Sequence, residues 1–187
     1  MSRRTQILAT AADLFAARGF HGVSVADLGA ACGISGPAIY KHFVAKEAIL
    51  AEMLVSISEE LLAEGERRVA GAADPRAAVA ALVDWHVDFA LRQRSLIVVQ
   101  DRDWESLPND AREKVRDLQR RYVDLWADQL RGLDPTLTRD RSRAMAHVAF
   151  GLINSTPHSG LLPDDEMRSV LTQMAGAALR LNPPREA

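Results

Sequence analysis

Residues 24–47 read SVADLGAACGISGPAIYKHFVAKE, and the punctuation of that stretch sets out a helix, a tight turn and a second short helix. Ser24 followed three residues later by Asp27, just ahead of the apolar Leu28, is a capping-box pattern that satisfies the first unpaired amides of a helix running from Val25 to about Cys32. Gly33 supplies the left-handed residue that ends a helix at little cost, and Ile34 beside it can fill the corner between the two helices. Ser35 is the expected cap of the next helix. Pro37 falls in that helix's first turn, where its missing N–H is not needed. The start Gly36-Pro37-Ala38 then leads through Ile39, Tyr40, Lys41 and His42 to Phe43.

The faces of this second helix differ. Ile39 and Phe43, four apart, suit a core, whereas Tyr40, Lys41 and His42 bring a phenol, a cation and an imidazole to the other side, groups suited to phosphate contact. A helix, tight turn and short helix of this kind places side chains in a DNA major groove. The pattern S-x-x-x-L-x-x-x-x-G-I-S-x-x-x-I-Y-x-H-F-x-x-K-E, close to the N-terminus of a chain of 187 residues, resembles the TetR family of transcriptional regulators; the match is close over residues 3–54 and limited to helical layout beyond them. The resemblance implies DNA contact by Ser24, Ser35, Gly36, Pro37, Ala38, Tyr40, Lys41, His42 and Lys46. Two departures stand out. The family's Ser, Asn or Asp before the Lys-Glu pair is replaced by Val44-Ala45, which leaves the fourth helix poorly capped at a cost of about 1 kcal/mol. The start Gly36-Pro37-Ala38 has no Arg, Asn or Gln for bidentate base readout, so specificity leans on Lys41, apolar contact with thymine methyls, backbone groups and DNA shape.

The composition fits a sensor with a DNA-reading head. Hydrophobic content of 48% with only 5% aromatic points to an all-α protein, here about nine helices with an N-terminal three-helix reading domain. Net charge is −2, yet residues 1–46 carry Arg3, Arg4, Arg18, Lys41 and Lys46 against Asp13 and Asp27, a +3 head on a −5 body. The single cysteine, Cys32, excludes an intramolecular disulfide framework and reads as a small buried residue at a helix end or a redox switch. No signal segment or eighteen-residue apolar run is present, so the expected setting is the cytoplasm, with no membrane partner.

Taken in order, Ser2–Ala17 forms a first helix whose Ile7, Ala11, Leu14 and Phe15 back the reading unit, with Arg3 and Arg4 either near DNA phosphates or solvated. The fourth helix runs from Lys46 to about Val69 and is the expected sole route from head to body. Asp74 and Pro75 open the fifth, to about Gln93, where Trp85 lies at the margin of the apolar face and His86 is its polar member. A short piece from Leu96 to Trp104 carries Asp101-x-Asp103, slender ground for a metal. The seventh helix starts at Asn109 or Asp110 and ends near Gly132, with Val115, Leu118, Tyr122, Leu125, Trp126 and Gln129 inward. Thr138 caps the eighth, with Met145, Val148, Ala149, Leu152 and Ile153 as its stripe, and its end, Asn154-Ser155-Thr156-Pro157, reads either as a polar cluster over a cavity or as a plain helix exit. Asp164–Arg180 is the ninth, and Pro183-Pro184 ends the structure.

These readings divide the chain into a reading domain, 1–46, and an effector-binding and dimerisation domain, 47–187. The last two helices have broad apolar faces that call for a second copy, through Met145, Val148, Leu152, Met167, Val170, Leu171, Met174 and Ala178. Family resemblance implies the same homodimer, which sets two reading helices about 34 Å apart on a palindromic operator. The expected function is a repressor released by a small apolar or amphipathic effector held among Met53, Ile57, Trp85, His86, Phe89, Trp104, Tyr122, Trp126 and Asn154. The Asn-x-Thr-Pro turn is similar to that of TetR-type regulators of acyl-CoA and lipid metabolism, which suggests an acyl thioester. The alternative is a DNA-binding activator, or a protein that works through a protein partner. With no Gly-rich phosphate loop, metal-spaced cluster or nucleophile elbow, neither enzymatic activity nor a cofactor is expected.

Overall fold

A computed structural model describes residues 2–181, and its secondary structure is helical throughout, with no strand among the described residues. The expected Pro183-Pro184 stop lies outside them. Helix α1, Arg3–Arg18, is capped by Ser2, whose Oγ accepts from Thr5 N–H at 3.1 Å, and is ended by Gly19 at φ 80°. Helix α2, Val25–Ala31, has the full capping box: Ser24 Oγ accepts from Asp27 N–H at 3.1 Å and Asp27 Oδ2 accepts from Ser24 N–H at 2.8 Å. Cys32 is its buried C-cap, and Gly33 turns the chain at φ 68°.

Helix α3 is shorter than expected, Gly36–Ile39. After it the chain tightens into three-residue turns, with Lys41 N–H on Ala38 O at 3.2 Å and His42 N–H on Ile39 O at 2.9 Å, which still carries Phe43 into the core. Helix α4, Lys46–Ala70, follows, then α5, Pro75–Arg92, with Asp74 accepting from Ala77 N–H at 2.8 Å. Helices α6, Arg94–Asp103, and α7, Asn109–Leu133, flank a 3₁₀ turn at Trp104–Ser106. Helix α8, Arg139–Ile153, capped by Thr138, leads through a second 3₁₀ turn, Thr156–His158, to α9, Asp164–Ala178.

The chain divides into two compact units, but not at residue 46. The first runs through Ser58 and takes in Ser95–Arg116; the second comprises Glu59–Arg94 and the chain from Asp117. The first unit's core joins Ile7, Phe15, Phe20, Leu28, Ile39, Phe43 and Leu50 to Val99, Leu107 and Val115, which lie far on in sequence. Each such side chain contributes about 1.5–3 kcal/mol on burial. Polar groups fasten α6 to α1: the Arg102 guanidinium donates to Ala16 O at 3.0 Å and to Phe15 O, and Ser95 Oγ donates to Asp13 Oδ1 at 2.8 Å. The expectation that the fourth helix alone links head to body is therefore corrected. The segment holding α6 and the start of α7 belongs to the head's own core, and the chain passes from unit to unit three times.

In the second unit α9 packs on α5 and α8. Asp88 of α5 pairs with Arg92 at 2.8 Å and with Arg168 of α9 at 2.6 Å, pairs exposed enough to be worth about 1 kcal/mol or less each. The apolar stripes differ in phase from the sequence reading. Buried on α8 are Ser142, Ala146, Ala149 and Ile153, while Val148 is 66% exposed. On α9, Met167 and Leu171 turn inward with Ala175, whereas Val170, Met174 and Ala178 face out. Met167 and Leu171 are thus removed from the expected dimerisation set, since a side chain committed to the core of its own unit has no surface to offer a second copy.

Candidate functional site

Two glycines set the reading head. A Cβ on Gly29 of α2 would lie 2.7 Å from Gly36 N and 2.8 Å from Ser35 C, and one on Gly36 would lie 3.2 Å from Ala26 Cα. The two helices therefore meet backbone to backbone, which holds the start of α3 against α2. Ser35 takes up the extended N-cap conformation, but its side chain makes no capping bond, so its hydroxyl is open. Gly36-Pro37-Ala38 forms the first turn, Tyr40 is 56% exposed, Lys41 is exposed and His42 is half-buried. Val44, in the family's capping region, is 86% exposed.

Three other basic groups of the head, Lys46, Arg4 and Arg3, have structural partners. The Lys46 ammonium donates to Phe20 O and Val23 O, both at 2.7 Å, and lies 4.2 Å from the Phe20 ring centre. It closes the loop between α1 and α2, leaving one of its three N–H groups for a phosphate. Ser24 is engaged in the capping box. Arg4 pairs with Glu52, donates to His42 O and covers the Phe43 ring at 4.1 Å, and Arg3 donates to Gln6 and, at 3.3 Å, to Cys32 O.

Within the second unit, six of the candidate effector residues converge. His86, buried, stacks on Tyr122 with ring centres 5.7 Å apart and stands 6.0 Å from Trp126 and 5.8 Å from Phe89. Its Nε2 donates to Asn154 Oδ1 at 3.1 Å, and its Nδ1 accepts from the Tyr122 hydroxyl at 3.3 Å. Burial pushes the imidazole pKa down to about 4, and burial likewise raises that of the Tyr122 phenol. The Trp126 indole N–H is fully buried and makes no well-formed hydrogen bond among the described residues, the Tyr122 hydroxyl being its neighbouring polar group. Trp85 is buried rather than marginal, its Nε1–H donating to Leu61 O at 3.1 Å, and it stands 6.4 Å from Phe89. Met53, Ile57 and Trp104 belong to the first unit instead; Met53 is in its core, and Trp104 packs against that core with the Arg116 guanidinium 5.5 Å from its ring.

The sequence reading missed Phe150, which stacks 4.7 Å from His86 and meets Trp126 edge-on at 5.0 Å. An α8 stripe phased on Met145 and Val148 does not include it. The polar exit of α8 is also more committed than a free cluster over a cavity: Thr156 Oγ1 donates to Ala90 O at 3.1 Å and Ser155 Oγ to Leu152 O at 2.8 Å. No group of three or more potential metal ligands occurs among the described residues. None of their helices is long and apolar enough to cross a membrane.

Residues 7–53 match the family described as bacterial regulatory proteins, tetR family, and residues 72–175 match the tetracyclin repressor-like C-terminal domain. The HTH-type transcriptional repressor KstR2 of Rhodococcus jostii is 31% identical over 125 residues, which is 66% of this chain and 61% of that protein, so the alignment spans under two thirds of the relative. A TetR-family transcriptional regulator from Bordetella parapertussis superposes with a TM-score of 0.82 at 26% identity over 92% of this chain and 93% of its own. AibR, in a complex with isovaleryl coenzyme A and operator DNA, has the same fold, with a TM-score of 0.76 at 20% identity over 92% of this chain and 97% of its own. Reading head and helical body each match their counterpart, and the chain belongs to the TetR family of bacterial transcriptional regulators.

Proposed function

We propose that the protein is a homodimeric repressor that binds a palindromic operator through the surface from Ser35 to Lys41 and leaves it when a small apolar or amphipathic effector enters the body. The observation that carries this reading is the open face of α3, held by the Gly29–Gly36 contact, with Tyr40 and Lys41 directed to solvent. The head boundary at residue 46 marks the DNA-contacting part of the first unit, not its packing limit. In the body, the rings about His86 supply apolar walls with a few polar groups, the usual make-up of a small-molecule site. An acyl-CoA or related lipid metabolite is the proposed effector class, supported by the Asn154–Pro157 turn and by the isovaleryl-CoA complex of AibR. Effector binding favours a state whose two heads no longer match the operator spacing.

The test is a gel shift on DNA flanking the protein's own gene, over a range of salt, with and without acyl-CoA thioesters. A discrete complex that an acyl-CoA dissolves is the expected result. Lys41→Ala should lower the slope of log affinity against log salt by about one, as loss of one phosphate contact does. Tyr40→Phe, losing a neutral hydroxyl, should weaken binding with little change in slope. A complex indifferent to every thioester removes the effector class and leaves the DNA reading; no complex removes the operator reading.

A further inference from the structure

The second unit has a cleft of about 280 Å³ where α5 begins and α7 and α9 end, away from the rings about His86. Leu130 and Leu179, both buried, line it together with Leu133, Leu137 and Met145. Its charged lining is Arg76, Arg180 and Asp134, both arginines being exposed. The carboxylate already has donors: Asp134 Oδ1 accepts from Thr136 N–H at 3.0 Å and from the Thr136 hydroxyl at 2.5 Å. The guanidiniums have donors to spare. Arg76 donates to Leu181 O, and the Arg180 guanidinium makes no hydrogen bond among the described residues, its charge being felt only across space by Asp134.

The backbone under Arg180 is a second, independent sign. Arg180 N–H on Ala177 O at 3.1 Å and Leu181 N–H on Gly176 O at 2.8 Å form a Schellman motif, whose left-handed position is ordinarily a glycine. Here it is Arg180, at φ 58°, the one non-glycine residue of positive φ among the described residues. An arginine in this conformation costs about 1 kcal/mol relative to glycine, and it brings a cation to the cleft.

We infer that this cleft binds a small amphipathic carboxylate, its chain against the leucines and Met145 and its head group on Arg180 and Arg76. The volume lies near the lower end of the range for ligand sites, about 300–1,000 Å³, which suits a short chain. The site stands or falls apart from the operator reading, because its test uses no DNA.

The experiment is a titration with octanoate, with octanol as the uncharged control, followed by methionine-methyl NMR and thermal melting. Octanoate should move the Met145 methyl, identified by Met145→Leu, ahead of Met53, Met167 and Met174, and should raise the melting temperature where octanol does not. Arg180→Gly fits the left-handed position better and should melt at or above the parent, yet bind octanoate about tenfold more weakly. Arg76→Gln should weaken it as well. Equal binding of octanol, undiminished octanoate binding by both variants, or a response centred on another methionine would each overturn the assignment.

Discussion

Gly29 and Gly33 stand four residues apart and would fail for different reasons. At Gly29 the conformation is helical but there is no room: a methyl group would sit within 2.7–2.8 Å of the Ser35–Gly36 backbone. At Gly33 there is room, with nothing within 4 Å, but φ is 68°. Gly29→Ala should therefore force α2 and α3 apart, lowering stability by about 1–3 kcal/mol and weakening operator binding beyond that loss, while Gly33→Ala should cost about 1 kcal/mol and leave the reading face intact. Denaturant melts beside gel shifts separate the two, and equal binding by both variants would show that the close contact does not position α3. His86 gives a residue-scale prediction on pH. Its folded pKa of about 4 lies below the ordinary imidazole value of 6.5 because burial disfavours the charged ring, so its contribution is fully present above pH 6.5 and is lost as pH falls toward 4. The unfolded chain takes up a proton in that window and the folded chain does not, a loss of about 2 kcal/mol by pH 5. His86→Gln should flatten the melting temperature between pH 6.5 and 5, whereas an unchanged acid slope would place the sensitivity elsewhere.

Individual elements differ in how much of them could be read from sequence, and the difference follows the range of the forces involved. Ser24 with Asp27, Asp74 and Thr138 act on amides within three residues, and each caps the helix it was expected to cap. The reading helix was placed correctly and drawn too long, because Tyr40–Phe43 continue in tighter turns that keep Ile39 and Phe43 inward. For α8 and α9 the sequence is ambiguous in itself: both carry apolar side chains on more than one face, and only packing against α5 decides that Leu171 goes in and Met174 stays out. The same ambiguity hid Phe150. Those outward residues define the face on which the proposed dimer depends. Met174→Asp and Val148→Asp should each give a folded monomer in sedimentation velocity, while Leu171→Asp should unfold the second unit. A dimer that persists in the first two variants would rule this face out.

At the scale of the molecule, composition foretold a helical protein, but neither composition nor charge shows how the chain is divided between its two units. Charge counted along the sequence places a boundary near residue 46. Packing ignores sequence order, and the head's core is closed by Val99, Leu107 and Val115 on a segment that follows α5. Lys46 shows the same thing on a smaller scale: a residue read as a phosphate contact also ties together the loop carbonyls of Phe20 and Val23. The threefold passage of the chain between units bears on how such proteins can be recombined. A gene fusion that joined these first 46 residues to a foreign body at one junction would strip the reading head of its back wall. A transplant that kept the head whole would need matching joints inside α4, at the start of α6, and inside α7, so new pairings of sensor and operator are reached more readily by point substitution than by exchange of parts.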